Sequence, residues 1–153
     1  MSFSSNYGMP SISYRLADIQ RVTTGKKWYG ALYPKLIFKN DLKILDKVLV
    51  MSIIRQESRF DQRGKSPARA QGLMQILPST AAFIMRDRGY RGKLRHDLLI
   101  PEKNILIGEK YIQHLYKEPL INDDIIKLLA AYNGGPGNLN KWLKKVNFDK
   151  DPL

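Results

Sequence analysis

The chain contains no cysteine, which excludes a disulfide framework and any thiolate-ligated metal centre. That absence is compatible with an oxidising compartment without demonstrating one. Histidine is nearly as scarce. His96 and His114 are the only imidazoles. They lack the spacing of a ligand pair, each reads as an ordinary surface or core histidine, and no metal is expected. No apolar run reaches about 18 residues, the length a membrane-crossing helix requires. The opening stretch MSFSSNYGMPSISYR has no charged segment followed by an apolar one, so it is not a secretory signal. Acidic side chains are few: 14, against 26 Lys and Arg, for a formal charge of +12.

The 153 residues, 43% of them hydrophobic, suffice for one domain with its own core. The basic excess has two readings. One is a polyanionic or carboxylate-bearing partner, the other a solvated surface that keeps the domain in solution. Basic residues are spread from Arg21 to Lys145 and form no recognisable nucleic-acid reading element, so nucleic acid is not an expected partner.

Helix signals dominate. Asp41 is placed to cap a helix in which Leu45, Leu49 and Ile53 recur at helical spacing, with Glu57 in its last turn. Gly64 and Pro67 then break the chain into a loop. Pro78 opens a second helix, predicted to run until Gly89, and Arg91 to Leu98 reads as a polar connection. Pro101 starts a third helix through Ile105, Gly108, Ile112 and Leu115, where Gly108 suggests close packing. Asn122 or Asp123 caps a fourth over Ile125 to Tyr132, closed by Gly134, Gly135 and Pro136. A short fifth carries Leu139, Trp142 and Leu143. No segment alternates with period two over more than four residues, so the fold class is all-α or nearly so. The Ser, Asn, Gly and Pro content of the N-terminus predicts a poorly ordered arm over residues 1–24, followed by a domain over 25–153.

Three short motifs carry chemistry. Glu57 ends an apolar helix, where the bland expectation is an ion pair with Arg55, Arg59 or Arg63. Cleaving a glycosidic bond needs a carboxylic acid still protonated near neutral pH, and desolvation provides one by raising its pKa. In the turn Gly72 to Gln75, glycine permits positive φ or close approach, Met74 offers a flexible apolar contact, and Gln75 an amide that donates and accepts. Tyr132 and Asn133, at a helix end, are placed to orient an acid and bind an N-acetyl group.

Together these motifs resemble the catalytic (SLT, lysozyme-like) domain of the soluble lytic murein transglycosylases. The resemblance rests on Glu57-Ser58; on Ser66 through Ala70 to Gly72-Leu73-Met74-Gln75-Ile76 with Pro78 to Ala81; on Pro101 to Asn104-Ile105 and Gly108; and on Ala131 to Pro136 with Trp142. It implies a lysozyme-like helical domain that cuts peptidoglycan between N-acetylmuramic acid and N-acetylglucosamine, leaving a 1,6-anhydromuramoyl end. Glu57 is then general acid and afterwards general base, with no metal or organic cofactor. Ser58, Ser66, Gly72, Met74, Gln75, Tyr132 and Asn133 bind substrate or orient the acid. Glycan strands are the expected partner, and the periplasm or cell envelope the expected location; a further domain or cell-wall machinery fits the same resemblance.

The chain departs from the family pattern twice. Arg69 stands where the family usually has a small residue, often glycine. The family commonly continues past the Trp into a Tyr-bearing segment, whereas this sequence ends at Asp151-Pro152-Leu153, so part of the cleft is expected to be missing. Two alternatives remain. A lysozyme- or endolysin-type hydrolase would need a second carboxylate, for which Asp61, Asp87 and Asp97 are the nearest in sequence. A non-catalytic wall-binding or secretion-scaffold module would leave Glu57 idle.

Overall fold

A computed structural model describes residues 9–34, 36 and 46–145. They form α1 (Pro10–Thr24), α2 (Tyr29–Leu32), α3 (Lys47–Ser58), α4 (Pro78–Ile84), two 3₁₀ turns (Arg88–Arg91 and Lys93–Leu99), α5 (Pro101–Tyr116), α6 (Ile125–Gly134) and α7 (Pro136–Lys145). Only isolated β-bridges, no strands, occur among the described residues, so the all-α expectation holds. The chain divides into two compact units, Met1–Glu109 and Lys110–Leu153, where length alone predicts one domain.

In the first unit the acid-bearing helix α3 begins at Asp46, whose Oδ1 accepts the Leu49 N–H at 2.9 Å. An Asp at this position satisfies one of the helix's free N–H groups. The Asp41 cap expected from sequence lies outside the described residues, as does the chain end at Asp151 to Leu153. Val50, Ile53 and Ile54 bury the inner face of α3.

The expected arm over residues 1–24 is corrected for Pro10–Thr24, which form α1. Its buried face is made of Ser13, Tyr14 and Ala17, while Ile12, Leu16, Ile19 and Val22 are exposed. The helical spacing therefore lies on the outer face, and the inner face is too polar and small to read as core. The second predicted helix stops at Ile84, short of Gly89, because Arg86 takes φ 54° and the Asp87 N–H bonds back to the Ala82 carbonyl. The polar connection after it is wound into the two 3₁₀ turns, with Tyr90 and Leu98 buried.

In the second unit Ile112, Leu115, Ile121, Leu128, Ala131 and Leu139 are buried. The cap of α6 is Asp124 rather than Asn122 or Asp123. Its Oδ1 accepts the Ile126 and Lys127 N–H groups at 2.9 and 3.1 Å, and these bonds hold its carboxyl below the usual carboxylate range. Asn122 and Asp123 take positive φ in the turn before it. The Trp142 ring of α7 lies against Gly134, at a spot where any Cβ would collide with it.

Candidate active site

Glu57 occupies the last turn of α3, half-buried. None of the ion pairs among the described residues includes it. Burial alone pushes its carboxyl above the ordinary value of 4.5, because a partly desolvated group favours its neutral, protonated form. The expected ion pair with a nearby arginine fails for a visible reason. Arg55 turns its guanidinium onto aromatic faces, 5.5 Å from the Tyr14 ring centroid and 4.7 Å from that of Tyr33. Arg59 and Arg63 are exposed.

The helix ends directly after the acid. Arg59 and Phe60 adopt φ of 51° and 65° in succession, a left-handed conformation unusual for any non-glycine residue and more so for a bulky aromatic. The Arg59 N–H bonds to the Arg55 carbonyl at 3.2 Å, and Phe60 is buried as an anchor. Ser58 donates its hydroxyl to the Ile54 carbonyl at 3.1 Å. Its proton is thus spent within α3, not on Glu57, and only its lone pairs remain for other contacts.

The loop that follows is tied to itself and to α5. Ser66 Oγ accepts the Ala70 N–H at 3.0 Å, so this side chain shapes the loop. Arg69 takes φ 69°, which explains physically why a glycine suits the position. Gln71 and Ile76 exchange both backbone hydrogen bonds at 3.0 Å, and the Gly72 N–H reaches the Gly64 carbonyl at 3.0 Å. Gln75 donates from Nε2 to the carbonyls of Gly64 at 3.1 Å and Gly72 at 2.9 Å. Its Oε1 is the group left to accept from a ligand.

Beneath the loop sits Asn104 of α5, fully buried. Its Oδ1 accepts the Met74 N–H at 2.7 Å, and its Nδ2 donates to the Gln71 and Leu98 carbonyls at 2.8 Å each. One side chain therefore bonds three backbone groups beneath the loop, the Gln71 carbonyl in addition to its bond from the Ile76 N–H; a buried backbone group left unpaired costs about 1–3 kcal/mol. Sequence reasoning quoted Asn104 only as part of a pattern. The signal was available: a polar residue on the apolar stripe of α5 shared with Gly108.

Met74 requires a correction. It is 0% exposed, and its thioether fills the space over Gly108, where any Cβ would overlap Sδ. The flexible apolar contact expected for a sugar is instead a core contact between loop and helix, since a long unbranched side chain fits the gap a mid-helix glycine leaves. The close packing expected at Gly108 is this contact.

Tyr132 and Asn133 belong to the second unit. Tyr132 lies at the end of α6 with its ring centroid 5.4 Å from that of Tyr111, whose own hydroxyl is pushed up by burial. Asn133 is exposed. The three carboxylates weighed as a second acid are all committed locally. Asp61 pairs with Arg15 at 3.5 Å and accepts the Arg63 N–H at 2.9 Å. Asp87 accepts the Gly89 N–H at 2.7 Å, and Asp97 pairs with Lys103 at 2.6 Å. Among the described residues no cluster of three or more His, Cys, Asp or Glu is placed to hold a metal ion.

Comparison with known proteins bears on this arrangement. The family described as "Transglycosylase SLT domain" matches residues 36–152. The soluble lytic murein transglycosylase of Salmonella typhimurium is 37% identical over 136 residues, covering 82% of this chain and 20% of that protein. The chain thus spans about a fifth of the length of such relatives. The crystal structure of the 70 kDa soluble lytic transglycosylase of Escherichia coli superposes with a TM-score of 0.73 at 31% identity, over 93% of this chain and 23% of the other. An inactive Glu-to-Gln mutant of the lytic transglycosylase Slt from Pseudomonas aeruginosa superposes with a TM-score of 0.65 at 25% identity, over 91% and 25%. The helices therefore adopt the lysozyme-like fold, and the chain belongs to the transglycosylase SLT domain family.

Proposed function

We propose that this chain is a peptidoglycan lytic transglycosylase domain that breaks the β-1,4 bond between N-acetylmuramic acid and N-acetylglucosamine, with Glu57 as the acid and base. The observation that carries the reading is the half-buried Glu57 carboxyl, raised by desolvation and outside every described ion pair. Protonated Glu57 gives its proton to the glycosidic oxygen as the bond to the muramoyl anomeric carbon breaks. The resulting carboxylate takes the proton of the muramoyl 6-hydroxyl while that oxygen bonds to the same carbon. Glu57 is thereby reprotonated, the 1,6-anhydro ring is closed, and no water enters. The muramoyl N-acetyl group is expected to assist in place of a second carboxylate.

Two things support this over a hydrolase. Asp61, Asp87 and Asp97 are held by partners of their own, whereas an inverting enzyme needs a free base to activate water. The relatives are named lytic murein transglycosylases. The Pseudomonas enzyme is described as inactive with glutamine in place of one glutamate, which supports a glutamate as the acid under either reading. Gln75 Oε1 is the proposed sugar-binding group of the first unit, and the cell envelope the proposed location. The basic surface suits a carboxylate-bearing polymer.

The test is clearance of a suspension of purified peptidoglycan across pH. Activity should persist above 4.5, the ordinary value from which Glu57 is raised, and fall as pH climbs through the raised pKa, because ionisation removes the proton donor. Clearance with no loss toward high pH would mean that another group supplies the proton.

A further inference from the structure

We propose that α1 is a clamp on the acid-bearing turn, with Tyr14 and Arg55 as positioning residues that fix Glu57 for proton transfer. The proposal rests on the reading of Glu57 as the acid. Three side-chain contacts join α1 to residues that flank Glu57. Two residues before it, Arg55 carries its guanidinium 5.5 Å from the Tyr14 ring centroid, and Tyr33 takes a second place at 4.7 Å. Three residues after it, the buried Phe60 ring lies 5.8 Å from that of Tyr14 at 53°. One residue further, Asp61 pairs with Arg15 of α1 at 3.5 Å.

A planar guanidinium is suited to this stacking, and the attraction grows as water is excluded. Arg55 Nε is buried with no hydrogen-bond partner among the described residues, so the rings are the described partners of this cation. The turn they grip is strained. Arg59 and Phe60 at φ 51° and 65° persist only where surrounding contacts over-determine them, and the Tyr14 ring on Phe60 is such a contact. Without it the turn is free to relax toward right-handed backbone, carrying the Glu57 side chain with it. Tyr14 and Tyr33 both precede residue 36, where the family match begins; the clamp thus acts on the acid from outside the matched segment.

Two measurements on the whole chain decide it. Hydrogen exchange at the Arg59 and Asp61 amides, bonded to the Arg55 and Ser58 carbonyls, needs no activity. It should quicken about tenfold or more in Tyr14→Leu, since the opening of this turn becomes local, and stay unchanged in Tyr14→Phe. On a soluble peptidoglycan fragment, Tyr14→Leu and Arg55→Met should lower kcat about fivefold to fiftyfold with KM within about twofold, as misplacing a catalytic group costs rate rather than binding. Tyr14→Phe should restore wild-type kcat. Ile121→Ala, a core truncation in the second unit, should move neither readout at a temperature where it is folded.

If Tyr14→Leu does not fold, Tyr33→Leu decides, because Tyr33 is 54% exposed and its removal spares the core. Its smaller loss should again fall on kcat and on exchange at Arg59. Wild-type exchange and wild-type kcat in the folded Tyr14→Leu or Tyr33→Leu chain would overturn the clamp. A wild-type chain that cleaves no glycan, while exchange still responds to Tyr14, would instead overturn the assignment of Glu57.

Discussion

Glu57→Gln should abolish glycan cleavage while leaving the fold intact. Glutamine keeps the shape of the side chain but neither delivers nor accepts the proton, and acid–base assistance alone is commonly worth about 10² to 10⁴ in rate. Because the proposed mechanism assigns Glu57 both proton transfers, the loss should lie at or beyond the upper end of that range. The same substitution should raise stability at neutral pH. Burial lifts the folded-state pKa of Glu57 above its ordinary value, so folding favours the protonated form. That contribution is fully present below the unfolded pKa and is lost as pH rises through the folded one. Neutral glutamine does not ionise, so its melting temperature should exceed wild type near pH 7 and match it near the ordinary carboxylate range. A folded variant with wild-type clearance of peptidoglycan, or with a lower melting temperature at pH 7 than at pH 4 relative to wild type, would contradict the assignment.

Gly72→Ala should be the most destabilising small substitution in the first unit. Gly72 takes φ +78°, and a Cβ there would strike the Leu98 carbonyl oxygen and Asn104 Nδ2, with Asn104 Cγ only 2.8 Å away. Two of these are the parts that bracket the loop on α5, so the clash and the loss of the Asn104 bonds to Met74, Gln71 and Leu98 come together. Left-handed strain of about 1–3 kcal/mol adds to overpacking of about 1–3 kcal/mol. A fall in stability of about 2–6 kcal/mol is expected, read from the midpoint of urea unfolding. Gly137→Ala is the matched control. It sits in α7 with nothing within 4 Å of a new Cβ, and alanine there should be neutral or better by about 0.5–1 kcal/mol. Equal midpoints for the two variants would mean that the loop is not seated on α5 as described.

What the sequence discloses differs from place to place for physical reasons. Helices α5 and α6 announce themselves because Pro101, Gly134 and their apolar stripes are local signals, and the all-α class follows from such signals. The end of α4 is hidden, since Met85 and Arg86 are good helix formers and only the tertiary seat of Tyr90 and Leu98 turns the backbone there. Helix α1 is hidden differently: its spacing at Ile12, Leu16 and Ile19 is helical, but these residues face outward and the inner face is Ser13, Tyr14 and Ala17. At the site, the partial burial of Glu57 that raises its pKa is legible from the apolar stretch before it in sequence. The destination of Arg55 is not, because cation–aromatic contact with Tyr14 and Tyr33 is long-range. Nor is the burial of Met74, which looks like a ligand contact until Gly108 is found against it.

The central claim is that bond cleavage closes a ring and consumes no water. Mass analysis of the fragments released from purified peptidoglycan tests it directly. The account predicts muramoyl ends about 18 Da lighter than those of a hydrolytic digest, the mass of the water not added, and resistant to borohydride reduction. Reducible muramic acid ends at the hydrolytic mass would contradict it, and the search for a second carboxylate would then begin at Asp61.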